Sequence, residues 1–233
     1  MKVVILQSNY VPWKGYFDLI NDCDTFIFYD CVQYTKNDWR NRNSIYTKNG
    51  KQWLTIPIPG KSVNGKIDEA IITDNKWQEK HFKSLYYGYK SSPYFYQLEE
   101  LITDYLKDRK WSNLSELNQY LIKKISGMLG ITTKFLNARD FDLPEGRVEK
   151  LISMLTQLNA TDYISGLAAK NYLEGSEYLF SESGINLSYK HYPNYPSYKQ
   201  LCMPFVNSVS VLDLIANIEL NNISNFIFKN ENI

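Results

Sequence analysis

Between positions 30 and 53 the chain reads DCVQYTKNDWRNRNSIYTKNGKQW, so Lys36, Arg40, Arg42, Lys48 and Lys51 alternate with Tyr34, Trp39, Tyr46 and Trp53. A guanidinium matches a phosphate bidentately, and an aromatic face stacks on a base or a sugar. The chemistry this stretch suggests is phosphate-anion binding. No glycine-rich cradle accompanies it, so neither the P-loop nor the dinucleotide fingerprint applies. The same alternation also suits a hairpin whose polar face is simply solvated.

His81 shares one helix face with Trp77, Leu85 and Tyr89, spaced four apart. A histidine there is either a hydrogen-bonded packing residue or a general acid–base, and an ordinary pKa of about 6.5 suits it to proton transfer. His191 lies in a Tyr- and Pro-rich strand end and reads as structural. Cys23, Cys31 and Cys202 form no CxxC pair, and Cys23 and Cys31 flank an apolar strand, where packing is expected. Two histidines and no paired cysteines predict no metal site. The clusters Tyr86-Tyr87, Tyr94-Phe95-Tyr96 and His191 to Tyr198 suit either ring stacking or core packing.

The elements that must position these groups follow from apolar patterning. Residues 3–6 and 25–29 are apolar runs, with a short helix predicted over 15–21 between them. Strand, helix and strand within so short a span predict a parallel βαβ unit. A third strand is expected over 53–58, a loop over 59–66 with Asn64-Gly65 as breakers, and a short strand over 70–72. Helices are predicted over 76–89, 94–106 and 113–129, the last closed by Gly130. Beyond them the pattern alternates: strand 131–136, helix 147–158, strand 162–165, helix 177–183, strand 185–192 and helix 210–218. The expected architecture is one α/β domain over 1–233, with a mainly parallel, Rossmann-like sheet. The helical insertion at 74–130 is part of that domain or a small lobe on it. Ligands of open parallel sheets bind at the carboxyl ends of the strands. That rule selects Gln7, Ser8, Asn9 and Tyr10, then Asp30, then Ser165 and Gly166.

Composition narrows the function classes. The chain has 233 residues and is 15% aromatic, 44% hydrophobic and 22% charged, with a formal net charge of +1. That is ample apolar surface for a folded core. A nearly neutral chain offers no broad basic field for duplex nucleic acid. No apolar run reaches the ~18–20 residues of a membrane span, and the first ten residues lack the h-region of a signal peptide. A cytoplasmic protein with reduced thiols is expected.

The segments ILQSNYVPWKGYFDLINDCDTFIFYD, VQYTKNDWRNRNSI and QWLTIPI, followed in order by KWQEKHFKSLYYGYKSSPYF, TDYISG and a late YKQ, resemble the WbqC-like family of bacterial proteins. The resemblance runs from Val3 to Ile215. Members occur in gene clusters for O-antigen and other surface polysaccharides, and a proposed role is transfer of glycine or another small acyl group to an amino sugar. Matching positions are Gln7, Tyr10, Pro12, Trp13, Gly15, Tyr16, Asp30, Gln33, Lys36, Trp39, Arg40, Asn41, Arg42, His81, Ser165, Gly166 and Gln200. Ser8 stands where a proline is common, and Leu167-Ala168-Ala169 replaces a glycine-richer run. A further likeness is to nucleotidyltransferase-like α/β folds. Trp13-Lys14-Gly15-Tyr16 falls where those carry HxGH, keeping the glycine and neither histidine.

The resemblance implies an acyl- or aminoacyltransferase acting on the amino group of a nucleotide-linked amino sugar, in surface polysaccharide biosynthesis. Arg40, Arg42 and Lys36 would hold the diphosphate, Trp39 and Tyr10 would stack on base or sugar, and His81 or Asp30 would handle the amine's proton. Substrate contacts are expected at Gln7, Asn9, Trp13, Tyr16, Gln33, Asn41, Ser165, Gly166 and Gln200 as well. No permanently bound cofactor is expected. The activated acyl donor stays open among an acyl thioester, an acyl adenylate and an aminoacyl-tRNA. The rival readings are an ATP-dependent ligase with a degenerate nucleotidyltransferase site, and a sugar-nucleotide-binding protein without chemistry.

Overall fold

The computed structural model describes residues 1–60 and 65–228. Part of the loop expected over 59–66, including Asn64, lies outside the described residues. Five parallel strands form the main sheet: β1 (Lys2–Leu6), β2 (Thr25–Phe28), β5 (Lys134–Asn137), β6 (Asp162–Ser165) and β7 (Asn186–Tyr189). Their order is β5-β2-β1-β6-β7, and every pairing is parallel. The chain builds outward from β1 to β2 and β5, then crosses back to β6 and β7. The order therefore reverses between β1 and β6, the position where Rossmann-type sheets bind ligands. The expected α/β, Rossmann-like sheet is what the chain forms.

The period-two alternation of β1 supplies both faces of this sheet. Val4 belongs to one core with Phe26 and Phe28, while Val3, Ile5 and Ile27 belong to the other. Helix α1 (Lys14–Asn21) adds Phe17, Leu19 and Ile20 to the first core. Helices α2 (Lys76–Tyr89), α3 (Phe95–Thr103) and α4 (Leu114–Met128) extend it without a break. The four residues aligned on one face of α2 are all buried, as their spacing requires. Helix α4 starts at Asn113, whose side chain accepts the Glu116 N–H at 3.0 Å. The second core is sealed by α5 (Arg147–Gln157), with α6 (Lys170–Leu173) and α7 (Tyr178–Glu182) beside it. Helix α8 (Val211–Asn217) returns to the first core. No helix among the described residues is long and apolar enough to cross a membrane.

Strands β3 (Arg42–Thr47) and β4 (Gly50–Thr55) differ from the sequence expectation. They pair as an antiparallel hairpin outside the main sheet, and β4 ends before Pro57 instead of running to Ile58. A proline cannot donate to a ladder, which stops the strand. The turn is tight, with Thr47 opposite Gly50, and Gly50 takes φ +88°, a conformation glycine adopts without strain. The strand expected over 70–72 is only an isolated bridge between Ile71 and Asn113. The helix expected to reach residue 106 ends its α-helical part at Thr103 and continues as a π-helical turn over Asp104–Asp108.

Candidate functional site

The loop leaving β1 carries the densest constraint in the molecule. Gln7, Ser8 and Asn9 follow Leu6 at the carboxyl edge of the sheet. Continuing the Val3–Tyr163 register places Leu6 level with Gly166 at the end of β6. Tyr10 N–H donates to the Trp39 carbonyl at 3.0 Å, which draws the 30s segment onto this loop. Arg40 thereby reaches back over it. Its Nη2 donates to Gln7 Oε1 at 3.0 Å and its Nη1 to Asn9 Oδ1. Asp38 stands 3.9 Å from the same guanidinium, too far for a close ion pair. Burial pushes the Asp38 carboxyl up, but bonds from the Thr35 hydroxyl and Trp39 N–H, with Arg40 and Arg42 nearby, bring it below the usual range. Arg40 is thus a half-buried cation whose hydrogen bonds go to neutral amides and whose charge Asp38 matches only at 3.9 Å, an arrangement that leaves room for a closer anion.

Val11 sits in this loop at φ +37°, and a β-branched residue adopts that conformation only under constraint. The constraint is visible. Asn43 Nδ2 donates to the Tyr10 and Val11 carbonyls at 3.2 and 2.9 Å, and Ser210 Oγ donates to Val11 at 2.7 Å. A pocket of about 270 Å³ opens beside it, lined by Asn9, Pro12, Trp13, Trp39, Asn43 and Ser208. The Trp13 ring is fixed by Tyr192 and Tyr195, with centroids 5.1 and 5.9 Å away. Beneath the loop, Tyr16 Oη donates to the Gln7 carbonyl at 2.9 Å.

The structure thus brings Gln7, Asn9, Trp13, Trp39 and Arg40 together, with Tyr16 as support. Asp30 lies at the end of β2 and accepts the Ser8 N–H at 2.8 Å. Arg42 is turned aside, its guanidinium stacked 4.6 Å from the Trp53 ring centroid. Lys36 is exposed, and Gln33 forms an isolated bridge with Lys66. Asn41 is buried and donates to the Ile56 carbonyl at 2.8 Å, anchoring the hairpin. Ser165 is buried, its hydroxyl 3.2 Å from that of Tyr163.

Besides Asn41 and Ser165, three more predicted site residues are core residues instead. Tyr10 is fully buried and cannot stack on a ligand. Its hydroxyl lies 2.9 Å from His81 Nδ1 and 3.4 Å from the Tyr105 hydroxyl. His81 is 5% exposed, between Tyr10 and Trp77. Burial lowers its pKa to about 4, with only partial opposition from the Thr55 backbone, so the imidazole is neutral at physiological pH. Gln200 is buried too, bonded to both backbone groups of Val206 and to Asp213 at 2.8 Å. Each of these side chains spends its polar atoms inside the protein.

Lys14 escaped the sequence reading. It is 3% exposed, and its Nζ lies 4.9, 5.4 and 5.9 Å from the ring centroids of Tyr195, Tyr198 and Phe205. Burial lowers its pKa to about 8, against the pull of Asp213. Its partners lie about 180 positions away along the chain, so no local signal could reveal it. Lys190 is likewise buried, paired with Asp18 at 2.8 Å and Asp22 at 2.6 Å, which ties the end of β7 to α1. Among the described residues no group of three His, Cys, Asp or Glu side chains is arranged to hold a metal ion.

Comparison with known proteins gives two findings. The sequence model of the WbqC-like protein family matches residues 7–225. An uncharacterized protein of Mycobacterium tuberculosis, Rv1507c, is 41% identical over 218 residues, covering 93% of this chain and 94% of that protein. No solved structure matches.

Proposed function

We propose, from the premise that this chain belongs to the WbqC-like protein family, that it is an enzyme transferring an acyl or aminoacyl group to the amino group of a nucleotide-linked amino sugar. The observation that carries the reading is Arg40. It is a guanidinium held by the neutral side chains of Gln7 and Asn9 at the sheet's reversal point, beside a pocket walled by Trp13 and Trp39. A diphosphate supplies a closer anion than Asp38 at 3.9 Å, and a base or sugar ring supplies the flat apolar face that tryptophan prefers. In the reaction the neutral amine attacks the acyl carbon. The N–C bond forms, the bond from that carbon to the donor's leaving group breaks, and the amine's proton passes to water or a nearby carboxylate. His81 takes no part in this reading, because both its burial and its bond to Tyr10 keep it in the core.

The test is incubation with amino-sugar nucleotides and candidate acyl thioesters, acyl adenylates and aminoacyl-tRNAs, followed by mass spectrometry of the sugar nucleotide. A mass gain equal to the acyl group is expected. Arg40→Ala should weaken nucleotide-sugar affinity by roughly 1.5–3 kcal/mol, the scale of a charge-assisted hydrogen bond. Binding without any mass gain would make the protein a carrier. Activity that requires ATP and releases AMP would make it a ligase. Absence of nucleotide-sugar binding in a folded protein would end the reading.

A further inference from the structure

A second cavity, of about 440 Å³, lies at the carboxyl ends of β2 and β5. Asp30 is part of its wall and is only 3% exposed. Three neutral donors hold its carboxylate: the Ser8 N–H on Oδ1 at 2.8 Å, and the Ser115 hydroxyl and the Gln119 amide on Oδ2, the amide at 3.2 Å. No lysine, arginine or histidine among the described residues forms an ion pair with it. Buried carboxylates are ordinarily matched by a cation, because desolvating an unmatched charge is costly. Among the described residues Arg139 is the one cation lining the cavity, and it is committed bidentately to Asp68, with a contact to Glu69 at 3.5 Å. Glu116 and Asp140 keep the remaining lining negative. Asn113 and Asn137 add amide groups to the wall.

We propose that this cavity is a subsite for a protonated amine carried on a hydroxylated ring, with Asp30 as its counter-ion. The amide groups of Asn137 and Gln119 are suited to ring hydroxyls, whereas the Ser115 hydroxyl and the Asn113 amide are spent on Asp30, Asp68 and Glu116. The loop then forms a dipolar receptor. Gln7 and Asn9 hold the Arg40 cation beside the Trp13–Trp39 pocket, while Ser8, the residue between them, holds the Asp30 carboxylate in the wall of the other cavity. A sugar nucleotide with a free amine has the complementary charges, a diphosphate and an ammonium on either side of one ring. The nature of the ring's carrier rests on the sugar-nucleotide reading above; the preference for an amine does not.

The experiment is calorimetry of the full chain at neutral pH with three probes: thymidine diphosphate, a thymidine-diphosphate aminodeoxyhexose, and the same compound with a hydroxyl in place of the amine. A uridine-diphosphate series runs in parallel. The expected result is that the amine binds at least tenfold more tightly than its hydroxyl counterpart. Asp30→Asn should erase that preference and leave thymidine diphosphate affinity within about twofold. Gln119→Lys, which supplies an internal ammonium beside Asp30, should erase it too, and it carries the test if Asp30→Asn does not fold. Equal affinity for amine and hydroxyl in the unmodified protein overturns the proposal, as does a preference that survives in either folded variant. If no nucleotide binds, free glucosamine and galactosamine against their N-acetyl forms take over. An Asp30-dependent preference for the free amine keeps the subsite and ends the sugar-nucleotide reading. No preference ends both.

Discussion

At the scale of single residues, His81 shows how burial redirects a side chain that has the right chemistry in principle. Its pKa of about 4 lies below the ordinary 6.5 because the folded protein desolvates the charged form. Between those values the unfolded chain binds a proton that the folded chain refuses. Stability from this group is therefore complete above about pH 6.5 and is lost as pH falls toward 4, by roughly 3 kcal/mol in all. Urea midpoints measured across that window should fall as the pH is lowered. His81→Gln should flatten the fall, since an amide keeps a hydrogen bond to Tyr10 and takes no proton. Acyl transfer by the folded His81→Gln protein should stay within a few-fold of the parent. A loss of 10²-fold or more with structure intact would return His81 to the chemistry.

At the scale of elements, the decisive unit is the β1–α1 loop. Its strained Val11 is held in place by the hairpin through Asn43 and by the start of α8 through Ser210. Asn43→Ala leaves the Tyr10 carbonyl without that donor, and it should cost roughly 1–3 kcal/mol in urea unfolding and weaken nucleotide-sugar binding together. Gly15 separates the two effects. A β-carbon there would meet the Trp13 ring at 2.3 Å, so the ring must leave the pocket wall and its packing on Tyr192 and Tyr195. Alanine is also the better helix former, by about 1 kcal/mol. Gly15→Ala should leave the melting temperature within a few degrees and lower nucleotide-sugar affinity at least fivefold. Unchanged affinity would show that Trp13 does not touch the ligand.

At the scale of the whole molecule, the larger core passes from the sheet through α1 into α2, α3, α4 and α8 without a gap. The 74–130 segment shares its apolar partners with β1 and β2 and buries no separate core among the described residues. Unfolding is therefore expected to be cooperative. Urea transitions followed by far-ultraviolet circular dichroism and by tryptophan fluorescence should coincide, since Trp77 and Trp111 report the helices while Trp13 and Trp53 report the sheet side. A chain from which 74–130 has been deleted should fail to fold. Two separated transitions, or a folded deletion, would make the segment an autonomous lobe.

The sequence by itself determined the elements whose signals are local. The apolar run of β1, the four-residue spacing on α2 and the Gly130 stop after α4 each specify their own backbone, because neighbours along the chain decide them. It also marked Gln7, Asn9 and Asp30 by the rule that strand ends bind ligands, and Trp39 and Arg40 by the alternation of basic and aromatic residues. What it could not decide is which polar side chains remain available. Arg40 and Arg42 are two positions apart and chemically identical, yet one reaches the β1 loop and the other stacks on Trp53. His81 and Asp30 both read as proton-handling groups, and only the packing put one in the core and the other on a cavity wall. Lys14 met its aromatic neighbours only when residues from the far end of the chain closed over it. Burial and partnership are sums over contacts distant in sequence, so tertiary structure alone assigned them.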